Sequence, residues 1–229
     1  MLLLAIIYLA FISLGLPDSL VGAGWPAMHE SLGVPLSCAG FITFIIATGT
    51  IISSLMSDRL TTRFGPGRVT AASVALTAAA LFGFSFSTQF WVLCLWAMPY
   101  GLGAGTVDAA LNNYAALHYT ARHMNWLHGC WGLGASISPF IMSQALSSGH
   151  GWPSAYRTVG TLQAILTAIV TVSLPLWNKT QKINGGGSAR LFDHVPTRAA
   201  LATPGVPAVL GTFFSYCAVE STSMLWAAS

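Results

Sequence analysis

Three carboxylates sit where carboxylates are expensive. Asp18, Asp108 and Glu220 fall inside long apolar runs, while Glu30, Asp58 and Asp193 lie in loops or at helix ends. An acidic side chain at the centre of a membrane helix costs about 2.5–3.5 kcal/mol on insertion scales. A chain with six acidic residues in 229 does not place half of them there by accident. One use is structural, a hydrogen bond to a neighbouring helix. The other is chemical: a carboxylate facing a wet cavity binds a proton or a polar solute. Between helices its charged form lacks full hydration, so it can be neutral when loaded and charged when it lets its proton go.

Spacing shows which way these acids point. Gly101, Gly105, Asp108, Asn112 and Ala115 follow steps of four, three, four and three, one face of a helix. Small residues on that face let another backbone come close, so Asp108 faces protein, with Asn112 one turn away as a hydrogen-bonding companion. Gly15, Asp18, Gly22 and Trp25 repeat the arrangement. Gly15-x-x-Asp18 and Gly105-x-x-Asp108 are 90 residues apart, with three spans from one helix to the other. That offset predicts a three-plus-three internal repeat in which equivalent helices bring polar groups to a common site near the midplane. Pro17, beside Asp18, leaves one backbone carbonyl without its helical donor.

A further helix holds Asn125, Trp126, His128, Trp131 and Ser136. His128 and Trp131 are three apart and share a face, so a titratable donor and a ring for stacking could meet one polar ligand. The alternative puts Trp126 in an interfacial aromatic belt and makes His128 a packing residue.

The elements that must hold these groups follow from composition. Only 7% of the residues are charged, where a soluble domain carries roughly 25%, and 54% are hydrophobic. This excludes an ordinary water-soluble enzyme. With about 20 residues per span, the chain predicts an all-α membrane protein of six complete spans and almost nothing else. These run from about Leu2 to Ala27, Leu36 to Met56, Val69 to Ser87, Phe90 to Leu117, Met124 to Leu146 and Tyr156 to Trp177, and an incomplete seventh begins near Val206. The six-helix bundle thus occupies residues 1–177, a polar cytoplasmic linker 178–204, and the seventh helix 205–229. The third and sixth spans hold no charge beyond Arg157 near one end, which places them toward lipid.

Eight of the nine basic residues fall in alternate connections: Arg59, Arg63 and Arg68, then Arg122, then Lys179, Lys182, Arg190 and Arg198. Basic residues collect on the cytoplasmic side, so the N-terminus is expected there, in a multi-pass protein of the cell inner (plasma) membrane.

Several functions fall away. The scattered basic residues form no stripe for nucleic acid. Four single cysteines suggest no disulfide or zinc site. His118, His123 and His128 recur every five residues and share no helix face, so no metal is expected. Gly185, Gly186 and Gly187 lack the Lys and Ser/Thr of a phosphate loop. Ser136 invites comparison with intramembrane serine proteases, but Ile137 stands where they need Gly, and His128 lies about 12 Å away along the helix, too far for a pair. No charged ring or filter suggests a channel. No enzyme activity and no cofactor is expected.

Between the second and third spans, Ser57-Asp58-Arg59-Leu60-Thr61-Thr62-Arg63-Phe64-Gly65 resembles the loop signature of the major facilitator superfamily: Gly, three residues, Asp-Arg, one residue, Gly, then two basic residues. Asp58, Arg59 and Arg63 match, while Ser54, Thr61 and Thr62 stand where Gly, Gly and a basic residue are usual. Within that superfamily, Asp18, and Asp108 after Gly101-Leu102-Gly103, resemble the paired acids of the fucose and glucose/galactose permease group of sugar:proton symporters. The resemblance implies the six-helix N-terminal bundle of the major facilitator fold, built from a 3+3 inverted repeat. It implies that Asp108, and secondarily Asp18, carry the coupling proton. Asp18, Trp25, Asn112, Asn125, His128, Trp131 and Glu220 would line a solute site, the solute being a sugar. Asp58, Arg59 and Arg63 would gate the cytoplasmic side. Energy would come from the proton gradient, and the lipid bilayer is the surrounding partner. Full members have twelve spans, so the resemblance also implies a truncated chain, inactive without its missing C-terminal half. A drug:proton exporter of the same superfamily is the alternative.

Overall fold

The computed structural model describes residues 2–177, 199 and 201–226, apart from the side chain of Met224, and among these no strand occurs. The expected linker lies almost wholly outside the described residues. The first span is two helices, α1 (Leu2–Asp18) and α2 (Leu20–Leu32), parted at Ser19. A 3-10 turn (Leu36–Cys38) leads into α3 (Ala39–Phe64), followed by α4 (Pro66–Phe86), α5 (Phe90–His118), α6 (Ala121–Ser147) and α7 (Trp152–Val172). The expected seventh span is α8 (Val206–Trp226).

Among the described residues, five segments are long and apolar enough to cross a membrane: 2–32, 36–64, 66–86, 90–118 and 152–172. Helix α6 has the length of a span, but Arg122, His123, Asn125, His128 and Gln144 make it more polar.

Two corrections concern where the spans end and how they pack. Helix α3 runs straight through the charged segment to Phe64, and Gly65 alone, at φ 84°, turns the chain into α4. Asp58, Arg59 and Arg63 therefore lie on the last turns of a helix and not in a loop. Lys, Arg and Asp are acceptable helix residues once a span leaves the apolar layer, so hydropathy underestimates helix length there. Helix α4 is also not peripheral: it packs between α5 and α7. A charge-free helix can face lipid or protein, and small residues decide which. Gly103 of α5 lies so close to α4 that a Cβ there would stand 2.8 Å from the Ser73 carbonyl, and Gly83 of α4 lies under the Trp96 indole. Of the five spans named above, α3 is the most open, through Phe41, Phe44, Ile51, Leu55 and Met56.

The three-plus-three repeat is visible in the pairing. Helix α6 packs along α1 and α3 packs along α5, each pair running in the same direction. Exchanging the two halves of the bundle turns one pair into the other. The glycines correspond as well: a Cβ on Gly15 would collide with the Trp131 carbonyl of α6, and one on Gly105 would collide with the Thr50 carbonyl of α3.

The buried apolar residues form two clusters. One, around Ile7, Phe11, Val107, Leu111, Tyr114 and Trp177, fills the end of the bundle that holds the N-terminus. The other, around Trp25, Leu81, Phe84, Phe90, Tyr100 and Tyr156, fills the opposite end. Where one gives way to the other, α1 carries Ser13, α4 Thr77 and α7 Gln163, all buried. A polar layer thus crosses the bundle at mid-height.

Candidate functional site

The break in the first span comes from Pro17. Proline has no N–H to give the carbonyl four residues back, and its ring bends the helix. That carbonyl belongs to Ser13, and the buried Gln163 of α7 donates to it from Nε2 at 2.7 Å. Pro139 in α6 makes the same demand at Ala135, and the Ser19 hydroxyl, at the break itself, donates to the Ala135 carbonyl at 3.0 Å. Both of these carbonyls are answered from outside their own helix, as burial requires of backbone polar groups. The bend sets Asp18 at the end of α1, facing α5 and α6.

Asp18 is held on both oxygens. The Trp131 indole Nε1 of α6 donates to Oδ2 at 2.8 Å, and the Tyr100 hydroxyl of α5 donates to Oδ1 at 3.1 Å. Asp108 is held on one: Asn112 Nδ2 donates to its Oδ1 at 2.9 Å. Among the described residues, the side-chain carbonyl oxygen of Asn112 is buried without a hydrogen-bond partner. Amide and carboxylate together leave the Asn112 carbonyl oxygen, the second Asp108 oxygen and the second amide N–H for an incoming group. Asp108 and Glu220 lie within electrostatic reach of Asp18, and His128 within reach of Asp108. Glu220, half-buried on α8, accepts a hydrogen bond from the Tyr216 hydroxyl at 3.0 Å.

Other expected site residues separate. Asn125 and His128 are exposed on α6, where His128 has the edge of Phe11 at 6.0 Å between ring centroids. Trp126 is exposed, as a ring in an interfacial belt would be. Trp25 is 2% exposed, packs edge-on against Phe90 and spends its indole N–H on the Leu36 carbonyl at 2.7 Å. It anchors the far end of the first span and has no open face for a solute, which corrects its expected role. Trp131 is half-buried with its N–H committed to Asp18, so any stacking by its ring happens beside a fixed carboxylate. Asp58, Arg59 and Arg63 are exposed; the Arg63 guanidinium lies 5.3 Å from the centre of the Phe64 ring, and the hydroxyls of Thr61 and Thr62 donate to the Asp58 carbonyl.

Residues that spacing did not single out complete the site. Tyr100 stands one position before the Gly101 face, and its hydroxyl, inside an apolar run, had to find an acceptor. Gln163 carried the same signal: an amide amid apolar residues needs a buried partner, and Pro17 had opened one. On the equivalent interface, Ser54 and Ser57 of α3 donate to the carbonyls of Gly105 and Thr106 at 3.1 and 3.3 Å, fastening the helix that carries Asp108.

Comparison with known proteins gives two findings. The family described as Major Facilitator Superfamily matches residues 7–229. A yeast protein, Bypass of stop codon protein 6 of Saccharomyces cerevisiae, is 26% identical over 144 residues, which make up 61% of this chain and 29% of that protein. The chain thus matches less than a third of the length of this relative.

Proposed function

The chain belongs to the major facilitator superfamily, and on that premise we propose that it serves secondary active transport of a small polar solute, of the sugar class, coupled to protons. The observation that carries this reading is that Asp18 and Asp108 follow corresponding close-packed glycines, Gly15 and Gly105, of the repeat, with Asp108 within electrostatic reach of Asp18. In this reading Asp108 takes up and releases the proton, because only one of its oxygens is engaged and a buried acceptor on Asn112 waits beside it. Asp18 and Trp131 offer a carboxylate and a ring to a solute, with Asn125, His128 and Glu220 at the margin. Asp58, Arg59 and Arg63, at the end of α3, pair with the opposite half of the transporter in one state and part from it in the other.

The test is uptake of labelled monosaccharides, under an imposed pH gradient, in vesicles from cells expressing the whole open reading frame. Gradient-dependent, saturable accumulation is expected. Asp108→Asn should abolish accumulation while exchange of solute across the membrane persists in part. Unchanged accumulation in that variant removes Asp108 from the coupling. Proton-driven efflux of apolar cations, with no sugar uptake, would make the protein a drug:proton exporter.

A further inference from the structure

Among the described residues, Asp18 alone of the three membrane acids has both oxygens engaged by donors from other helices. Its partners come from α5 and α6 at once, so three helices meet on one carboxylate. The approach is possible because Gly15, one turn earlier, has no side chain where α1 meets the backbone of α6 at Trp131 and Ala135. Donors aimed at a carboxylate favour its charged form, and charge-assisted bonds are about twice as strong as neutral ones. Asp108 has a single amide donor.

We propose that Tyr100 and Trp131 are positioning residues that hold Asp18 as a charged hydrogen-bond acceptor, so that of the two equivalent acids Asp108 is the one free to take up a proton. The second clause rests on the proton-coupled reading above; the holding itself does not. Among the described residues, the groups facing this node that can charge are Asp108 and Tyr100 on α5, His128 on α6, by way of Asp108, and Glu220 on α8. Helix α7 presents the neutral Gln163 near this level. Neither donor side chain ionises at ordinary pH, so both stay donors while the acids around them titrate.

Dicyclohexylcarbodiimide tests this without any transport. It reacts with protonated carboxyls in apolar surroundings: the acid's proton passes to one carbodiimide nitrogen, its oxygen bonds the central carbon, and the product rearranges to a stable acylurea holding the whole reagent. Peptide mass spectrometry of the purified chain then reads Asp18 and Asp108 separately, with Asp18→Asn as the blank for the first. In the unsubstituted chain the adduct is expected at Asp108 and not at Asp18. Tyr100→Phe and Trp131→Phe should each raise labelling of Asp18 about tenfold near neutral pH, from the loss of one charge-assisted bond, and leave Asp108 unchanged. Equal labelling of both acids in the unsubstituted chain overturns the proposal. So does an Asp18 that stays unreactive in both variants, or a rise at both acids together, which would mean general loosening. Because no solute is involved, failure of the uptake experiment and failure of this one are separate results.

Discussion

Replacing Gly15 by Ala probes one of the closest contacts in the bundle. A Cβ built there lies 2.9 Å from the Ala135 nitrogen, against ordinary contact from 3.4 Å, and nearer still to the Trp131 carbonyl. Helix α1 must therefore move away from α6 by about 0.5 Å or more. Adding that to the 2.8 Å bond from Trp131 to Asp18 gives about 3.3 Å, past the usual N–H···O range of 2.7–3.2 Å. Overpacking of this kind costs about 1–3 kcal/mol, and an interhelical hydrogen bond in a membrane protein adds about 0.6, up to about 1.7. Alanine returns about 0.5–1 kcal/mol through its better helix propensity. The net expectation is a loss of about 1–3 kcal/mol. Gly132→Ala, on α6 with open space around it, receives only the gain. Thermal unfolding of the purified chain in detergent checks the pair: at about 2–4 °C per kcal/mol for a chain of this size, Gly15→Ala should melt several degrees lower and Gly132→Ala slightly higher than the parent. Trp131→Phe should cost less in the Gly15→Ala background than alone, because its bond is already strained. Equal melting temperatures for the two glycine variants would refute the close approach of α1 and α6, and the geometry around Asp18 with it.

Gln163→Leu keeps the volume and removes the donor to the Ser13 carbonyl, so it should lower stability by about 0.6–1.7 kcal/mol by the same melting assay. Ser19→Ala opens the Ala135 carbonyl and should cost a similar amount, whereas Ser136→Ala, whose hydroxyl serves only its own helix at Gly132, should be near neutral. Gly83→Ala displaces the Trp96 indole and should shift tryptophan emission, an effect absent when Trp96→Phe is made first. A glycosylation acceptor inserted near residue 150 should be modified in microsomes and one near residue 65 should not, if the charge bias of the connections sets the orientation.

The helices could be read from apolar runs of spanning length, and each predicted span meets a helix. Their ends could not, because the chain stays helical after it leaves the apolar layer: α3 continues for eight residues past Met56. The interior face of α5 was visible in the spacing of Gly101, Gly105 and Asp108, since only close approach of another backbone needs glycine at those steps. The burial of α4 was not, for hydropathy treats lipid and protein as the same surroundings. Asp18 and Asp108 announced themselves by cost, but their partners did not. A tyrosine or glutamine in an apolar run says that a partner exists, while its identity depends on a helix 82 or 150 residues away. Trp25 misled because the face it shares with Asp18 turns past Pro17 and Ser19, so a straight-helix wheel no longer applies beyond the break.

The pairing of Gln163 with the Ser13 carbonyl also orders the protein's biogenesis. Spans enter the bilayer one after another, and α1 arrives with an open carbonyl that lipid cannot serve. The side chain that closes it belongs to the last of the six spans to be synthesised. Until α7 emerges from the ribosome, the first span can be inserted but not finished, and a nascent chain stalled before Gln163 should keep that span beside the insertion machinery and open to quality control.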